Sequence, residues 1–189
     1  RKYNNHTAMN QAQRAFTYVD AFAGEIRRII DNRFFLDMYT CNRNDRKNGT
    51  LERIVGDMVL LCNYPDQYKK DTKQGFKWLN ENGTISDFED TNNLLTRLMV
   101  SVDATPEIRK LFNSKHAHIF VAAFKAFTES GRNDTEFGRF LEWFVSGGSE
   151  TEIDGKVWDI LGVDRSTRDA GVVHTKVDYL VALMGQYFK

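Results

Sequence analysis

The sequence contains little of what secreted or membrane-spanning proteins need. Only two cysteines, Cys41 and Cys62, and two prolines occur among 189 residues. Two cysteines cannot build the disulfide framework of a small secreted domain, and scarce proline suits a chain that is mostly helical. No apolar run approaches the roughly 18 residues that a membrane-spanning helix requires, and no signal peptide is recognisable. We therefore expect a cytoplasmic protein without a membrane segment.

The sequence also lacks an excess of charge of one sign. Its 26 basic and 26 acidic residues give a formal net charge of zero, whereas nucleic-acid-binding domains usually carry a clustered basic face. A phosphate-binding loop, a dinucleotide-binding glycine motif and a nucleophile elbow are all missing. We expect neither a cofactor nor a catalytic residue in this chain.

What the chain does have is a long helical pattern near its start. Apolar residues recur at steps of three and four, at Met9, Ala12, Phe16, Val19, Ala23, Ile26 and Ile30. This spacing predicts an amphipathic helix from Met9 to about Phe34, capped by Thr7. A coiled-coil seam is the alternative, but alanine and phenylalanine fill positions where branched residues are typical. We expect the other helices to pack around this one, and the last helix to be its partner.

Similar spacing and capping signals predict the rest of the fold. They indicate helices over 51–62 and 66–80, after a capping box of Ser86 and Glu89, after Thr105, over 115–130, after Asn133, and over 170–188. The helix over 115–130 is apolar nearly all round and should be the most buried. The expected fold is one all-α domain over 1–189, an orthogonal or bundle-like array of about seven to eight helices. The chain opens at Arg1 without methionine, so we expect a piece of a longer polypeptide.

Four lysines in the third predicted helix are candidates for nucleic-acid binding. Lys69, Lys70, Lys73 and Lys77 follow helical spacing, with aromatic residues nearby. A positive helix face with aromatics can bind a phosphate backbone. The alternative is an ordinary solvated face, and any binding should be weak.

A second candidate site lies just before the last helix, within Asp164 to Asp169. Arg165, Ser166, Thr167 and Arg168 could bind an anion there, because backbone N–H groups at a helix N-terminus attract negative charge. The alternative is structural, with the two arginines pairing with Asp164 and Asp169.

Two histidines resemble a metal-binding pair but have the wrong spacing. On a helix, His116 and His118 point in nearly opposite directions, whereas helical zinc pairs are four residues apart. We therefore expect no metal site, with one histidine buried and the other exposed. Cys62 lies on an apolar helix face and is expected to be a buried structural thiol.

Three stretches resemble a known family. They are Tyr3 to Asn10 followed by Gln13 and Ala15, Asn48 to Arg53, and Asp164 to Asp169 before the final helix. The first is similar to the junction after the ParB-like domain in the GmrSD-type (ParB/sulfiredoxin-like) family of bacterial proteins. The other two are similar to the helical region of such proteins.

The resemblance implies a function for the whole polypeptide rather than for this chain. Family members are associated with nucleotide-dependent nucleic-acid cleavage in defence against foreign DNA. Their Asp-Gly-Gln-Gln-Arg-like signature belongs to the ParB-like domain, and Asp154, Gly155 and Lys156 do not match it. The resemblance therefore implies a non-catalytic helical accessory domain, whose partner is the preceding ParB-like domain or another protein. A free-standing helical interaction module from a phage or mobile element is the alternative.

Overall fold

The computed structural model describes residues 9–189, so the predicted cap at Thr7 lies outside the described residues. This range forms nine α-helices: α1 (Gln11–Phe16), α2 (Ala23–Ile30), α3 (Thr50–Asn63), α4 (Thr72–Asn82), α5 (Ile85–Ser101), α6 (Pro106–Leu111), α7 (Ala117–Glu129), α8 (Asp134–Val145) and α9 (Ala170–Tyr187). Across the same residues, extended pairing is limited to one isolated bridge between Ile153 and Lys156. The predicted all-α fold is confirmed.

The long opening helix is divided, which explains the ninth helix. A 3₁₀ segment, Thr17–Phe22, separates α1 from α2, and Val19 within it has non-helical dihedrals of −120° and 33°. The backbone N–H of Ala21 donates to the side-chain oxygen of Asn80 on α4 at 3.1 Å, which fixes this segment against α4. Val19 and Ile26 are both fully buried. The spacing thus identified the buried side correctly, but the prediction of one continuous helix was wrong.

Two other helices, α3 and α7, form the centre of the protein. They pack against each other; α3 also contacts α1, α2, α4 and α5, and α7 contacts α5, α8 and α9. Every residue from Arg53 to Cys62 is buried, so α3 is as enclosed as α7. The expectation that the opening helix is central was wrong, and α9 packs chiefly on α7 instead of on the opening helix.

Aromatic rings fill the space between α7 and α8. The ring centroids of Phe124 and Phe137 are 4.9 Å apart, and those of Phe120 and Phe144 are 5.7 Å apart. All four side chains are buried. Contacts at these distances add to the stabilisation from burial itself.

The predicted capping box before α5 lies two residues earlier than expected. Thr84 is the N-cap, and the backbone N–H of Asp87 donates to its hydroxyl at 3.4 Å. In return, Asp87 accepts from the backbone N–H of Thr84 at 2.7 Å. Ser86 and Glu89 have the same spacing but lie within α5 itself.

The start of α4 also differs from the prediction. Pro65 opens a separate 3₁₀ turn, and α4 begins later, where the side chain of Asp71 accepts from the backbone N–H of Lys73. The predicted helix over 66–80 was therefore wrong at its first turn. Thr105 and Asn133 cap α6 and α8 as predicted.

Candidate functional site

The four candidate lysines are all exposed but do not share one helix face. Lys69 and Lys70 lie in the loop before α4. Lys73 and Lys77 are one turn apart on α4, with their ammonium nitrogens 4.9 and 5.1 Å from the ring centroid of Tyr18. The structure thus brings two of the lysines together over an aromatic ring and leaves the other two apart.

The two arginines of the predicted anion site point in different directions. Arg165 is exposed, and its Nη1 lies 4.0 Å from Oδ1 of Asp169, which caps α9. The hydroxyl of Ser166 accepts from the backbone N–H of Arg168 at 3.4 Å. Thr167, which stands between these two residues in the chain, is partly buried. The side chain of Arg168 reaches into the protein. Anion binding by residues 165–168 stays a prediction.

Arg168 reaches a set of buried charges on α3. Its Nη2 donates to the hydroxyl of Thr72 on α4 and lies 3.6 Å from Oδ2 of Asp57. Nη1 of Arg53 donates to the same oxygen at 2.7 Å, and Nη2 of Arg53 donates to the carbonyl of Ser114 at 2.9 Å. These contacts tie α3, α4, the turn before α7 and the segment before α9 together.

Two aromatic side chains complete this set. The rings of Tyr68 and His118 are stacked with centroids 5.7 Å apart, and the two residues are 1% and 0% exposed. Neither the Tyr68 hydroxyl nor either nitrogen of His118 has a hydrogen-bond partner in the protein. We call the six residues the buried polar cluster: Arg53, Asp57, Tyr68, Thr72, His118 and Arg168.

Burial and the two arginines control ionisation in the buried polar cluster. Burial lowers the pKa of His118 well below its usual range, and the positive charges of Arg53 and Arg168 lower it further. Burial raises the pKa of Asp57, and both guanidinium groups oppose that rise. Burial also raises the pKa of the Tyr68 hydroxyl. The contacts of Asp57 with the two guanidinium groups favour its carboxylate form, and burial favours the neutral form of His118.

Sequence reasoning missed most of this cluster. One signal was available: Arg53 and Asp57 stand four residues apart within an apolar helix, a spacing that favours an ion pair. Arg168 gave no such signal, because its partner Thr72 is 96 residues away in the chain. For the histidines, the buried member is His118, whereas His116 is partly buried rather than exposed.

Another buried cation, Lys176, lies outside the buried polar cluster and next to His116. Lys176 of α9 is 7% exposed, and its Nζ lies 4.3 Å from the ring centroid of Trp158 and 3.5 Å from Nε2 of His116. Burial, followed by the charges of Lys176 and Lys115, lowers the pKa of His116 to about 4. Burial also lowers the pKa of Lys176.

Cys62 is buried, as predicted for a structural thiol, and burial raises its pKa to about 12. Nζ of Lys125 donates to the Cys62 carbonyl at 2.6 Å, at the C-terminal end of α3. A cation in that position offsets the helix dipole. Both residues line a polar cleft of about 260 Å³, together with side chains of α5 that include Asp90, Asn93 and Arg97.

An apolar groove lies on the surface between α7 and α9. It has a volume of about 290 Å³ and is lined mainly by Ala126, Phe127, Val181, Met184, Gly185 and Phe188. Arg132 and Lys189 line it as well, and Val181 is 41% exposed. We call this the α7–α9 groove.

Among residues 9–189, no three His, Cys, Asp or Glu side chains gather in a way that could hold a metal ion. None of the helices described is both long and apolar enough to cross a membrane. Comparisons with protein families, with characterised proteins and with solved structures found no match to this chain.

Proposed function

We propose that this chain is a non-catalytic helical accessory domain of a ParB-like, GmrSD-type bacterial protein linked to nucleic-acid processing or defence. The family comes from the sequence resemblance described above. The docking role is supported by one observation in particular, the α7–α9 groove, whose lining is mainly apolar although it lies on the surface. Exposed apolar surface bordered by polar residues is typical of protein-binding sites.

The groove suits an apolar side chain of a partner protein. Val181 remains 41% exposed on α9, and beside it Met184 and Phe188 provide an apolar wall. At the edge of the groove, the guanidinium group of Arg132 lies 4.7 Å from the ring centroid of Phe188. A partner with an apolar anchor and an acidic residue at its margin would complement this surface.

The buried charges support a structural role rather than a catalytic one. Asp57 faces two guanidinium groups at 2.7 and 3.6 Å, and its own side chain is only 2% exposed. A general acid or base must come within hydrogen-bond reach of a substrate. The carboxylate of Asp57 is instead engaged within the protein. We also propose a cytoplasmic location, which suits the two free thiols, Cys41 and Cys62.

Calorimetric titration tests the docking proposal. The purified chain is titrated with a ParB-like domain of a GmrSD-type protein. We expect binding that Val181→Asp weakens at least about tenfold, because a carboxylate would be buried in an apolar site. Val100→Asp is the matched control, since Val100 is 83% exposed on α5 and does not line the groove. Equal affinities for the two variants would contradict a role for the groove.

Two results would favour other functions. If the ParB-like domain does not bind, the chain is better described as a free-standing helical interaction module. If the purified chain alone cleaves DNA or turns over a nucleotide, the non-catalytic assignment is wrong.

Weak nucleic-acid binding is a second candidate activity, supported by the exposed ammonium groups of Lys73 and Lys77 beside Tyr18.

A further inference from the structure

Polar atoms without protein partners are concentrated in the buried polar cluster. Within residues 9–189 they include the hydroxyl of Tyr68, both ring nitrogens of His118 and Nε of Arg168. Buried polar groups nearly always have a hydrogen-bond partner, and each exception calls for an explanation. Here four such atoms belong to three neighbouring side chains, so a single bound species could satisfy several of them.

The charges of the cluster indicate the sign of that species. Arg53 and Arg168 contribute two positive charges, and both approach the same carboxylate oxygen of Asp57. Lys125 and Lys176 lie elsewhere, against the Cys62 carbonyl and the ring of Trp158. The single carboxylate leaves one positive charge without a counter-ion. The side chains of Arg53 and Arg168 are 9% and 24% exposed, and burying a charge is costly to the extent that it is left unpaired.

The unused hydrogen-bonding groups also favour an anion. Nε of Arg168 and the hydroxyl of Tyr68 are donors, and neutral His118 has one N–H. Within the cluster, the unused acceptors are the Tyr68 oxygen and the second nitrogen of His118. Burial and then the charge of Asp57 raise the pKa of the Tyr68 hydroxyl, whereas the charges of Arg168 and Arg53, and a side-chain contact with Arg168, oppose that rise. The donors and the surplus charge therefore lie in the same place.

We propose that the buried polar cluster binds a small monovalent anion of the halide class between Arg168, Tyr68 and His118. The 1% and 0% exposure of Tyr68 and His118 restricts the ligand to one small enough to be enclosed. The bound anion links Arg168, in the segment before α9, to Tyr68 in the loop before α4 and to His118 on α7. This site differs from the anion site predicted at residues 165–168, because it uses the inward-facing arginine alone. It is also independent of docking at the α7–α9 groove.

Thermal unfolding in different halides tests this proposal. At constant ionic strength, gluconate, which is too large to be enclosed in the cluster, is replaced stepwise by chloride or bromide, and the melting temperature is followed. We expect a saturable rise of a few degrees, because a ligand that binds only the folded state stabilises it. Arg168→Gln and, independently, Tyr68→Phe should abolish or strongly reduce the rise. Arg165→Gln, which removes an exposed arginine of the same segment, should retain it.

A second measurement locates the anion without relying on variants. Crystals grown in bromide should show an anomalous peak within contact distance of Arg168 and Tyr68. No peak in the cluster, or a halide response that is the same in wild type, Arg168→Gln and Arg165→Gln, would overturn the proposal. Water bound to these atoms would then be the better explanation.

Discussion

Nη1 of Arg53 lies 2.7 Å from Oδ2 of Asp57, and the two side chains are only 9% and 2% exposed. Arg33 and Asp37 have the same spacing in the chain and the same 2.7 Å separation, but are 82% and 42% exposed. The protein therefore contains one type of ion pair in two different environments. Burial, rather than geometry, should decide what each pair contributes to stability.

Removing each carboxylate tests this comparison. Asp57→Ala should lower the free energy of unfolding by about 3–5 kcal/mol, because Arg53 would remain buried without its partner. Asp37→Ala should lower it by less than about 1 kcal/mol, since solvent screens an exposed pair. Urea denaturation followed by circular dichroism measures both. Similar losses for the two variants would show that the buried polar cluster is not a structural tie.

Acid should destabilise the protein through His116 and His118. Folding lowers the pKa of His116 from 6.5 to about 4, and that of His118 also falls well below its usual range. Between the folded and unfolded pKa values, the unfolded chain binds protons that the folded protein does not. The stabilisation is therefore present above about pH 6.5 and is lost as the pH falls.

The melting temperature measured at a series of pH values between neutrality and about pH 4 tests this direction. His116→Gln should flatten the dependence on pH, because it removes one of the two groups. The cations around it, Lys115 and Lys176, and the carboxylate of Asp57 are unchanged in this variant, so the difference isolates His116. An unaltered dependence on pH would contradict the proposed protonation.

Two helical glycines should respond in opposite ways to alanine. A Cβ at Gly56 on α3 would lie inside van der Waals contact with the ring of Phe76, whereas nothing lies near that position at Gly24 on α2. Gly56→Ala should destabilise by about 1–3 kcal/mol through overpacking. Gly24→Ala should stabilise by up to about 1 kcal/mol, because alanine is the better helix former. Denaturation midpoints that shift in the same direction would exclude this packing of α3 on α4.

The lysines on α4 should dominate any nucleic-acid binding. We expect weak, salt-sensitive binding in fluorescence anisotropy with single-stranded DNA. Lys73→Gln combined with Lys77→Gln should weaken it and make its salt dependence shallower, by a slope of roughly 0.7 for each phosphate that is no longer neutralised. Lys69→Gln combined with Lys70→Gln is the matched control and should have a smaller effect. DNA binding that neither double substitution alters would show that these lysines do not contribute to it.

Local signals predicted much of the fold. Apolar spacing identified the buried side of the opening segment, including Val19 and Ile26, because burial follows helical periodicity closely. It did not reveal the 3₁₀ segment at Thr17–Phe22, because its cause is tertiary: the Ala21 N–H bonds to Asn80 on another helix. Likewise, two capping boxes of equal spacing were possible before α5. The hydrogen bonds between Thr84 and Asp87 distinguish them only in three dimensions.

The candidate sites were less predictable, because they depend on long-range contacts. Lys73 and Lys77 were correctly grouped by helical spacing, but their aromatic partner, Tyr18, lies far away in the chain. Arg168 was selected for its position before α9, yet its contacts with Asp57 and Thr72 come from α3 and α4. No local pattern specifies which way such a side chain turns.

The most direct test of the proposed docking role is an NMR titration of the isotope-labelled chain with an unlabelled ParB-like domain. Changes in backbone amide signals locate the contact surface without any substitution. Our proposal predicts that they concentrate along the α7–α9 groove, at Ala126, Val181 and Gly185. No change at saturating partner concentration, or changes confined to other surfaces, would contradict it.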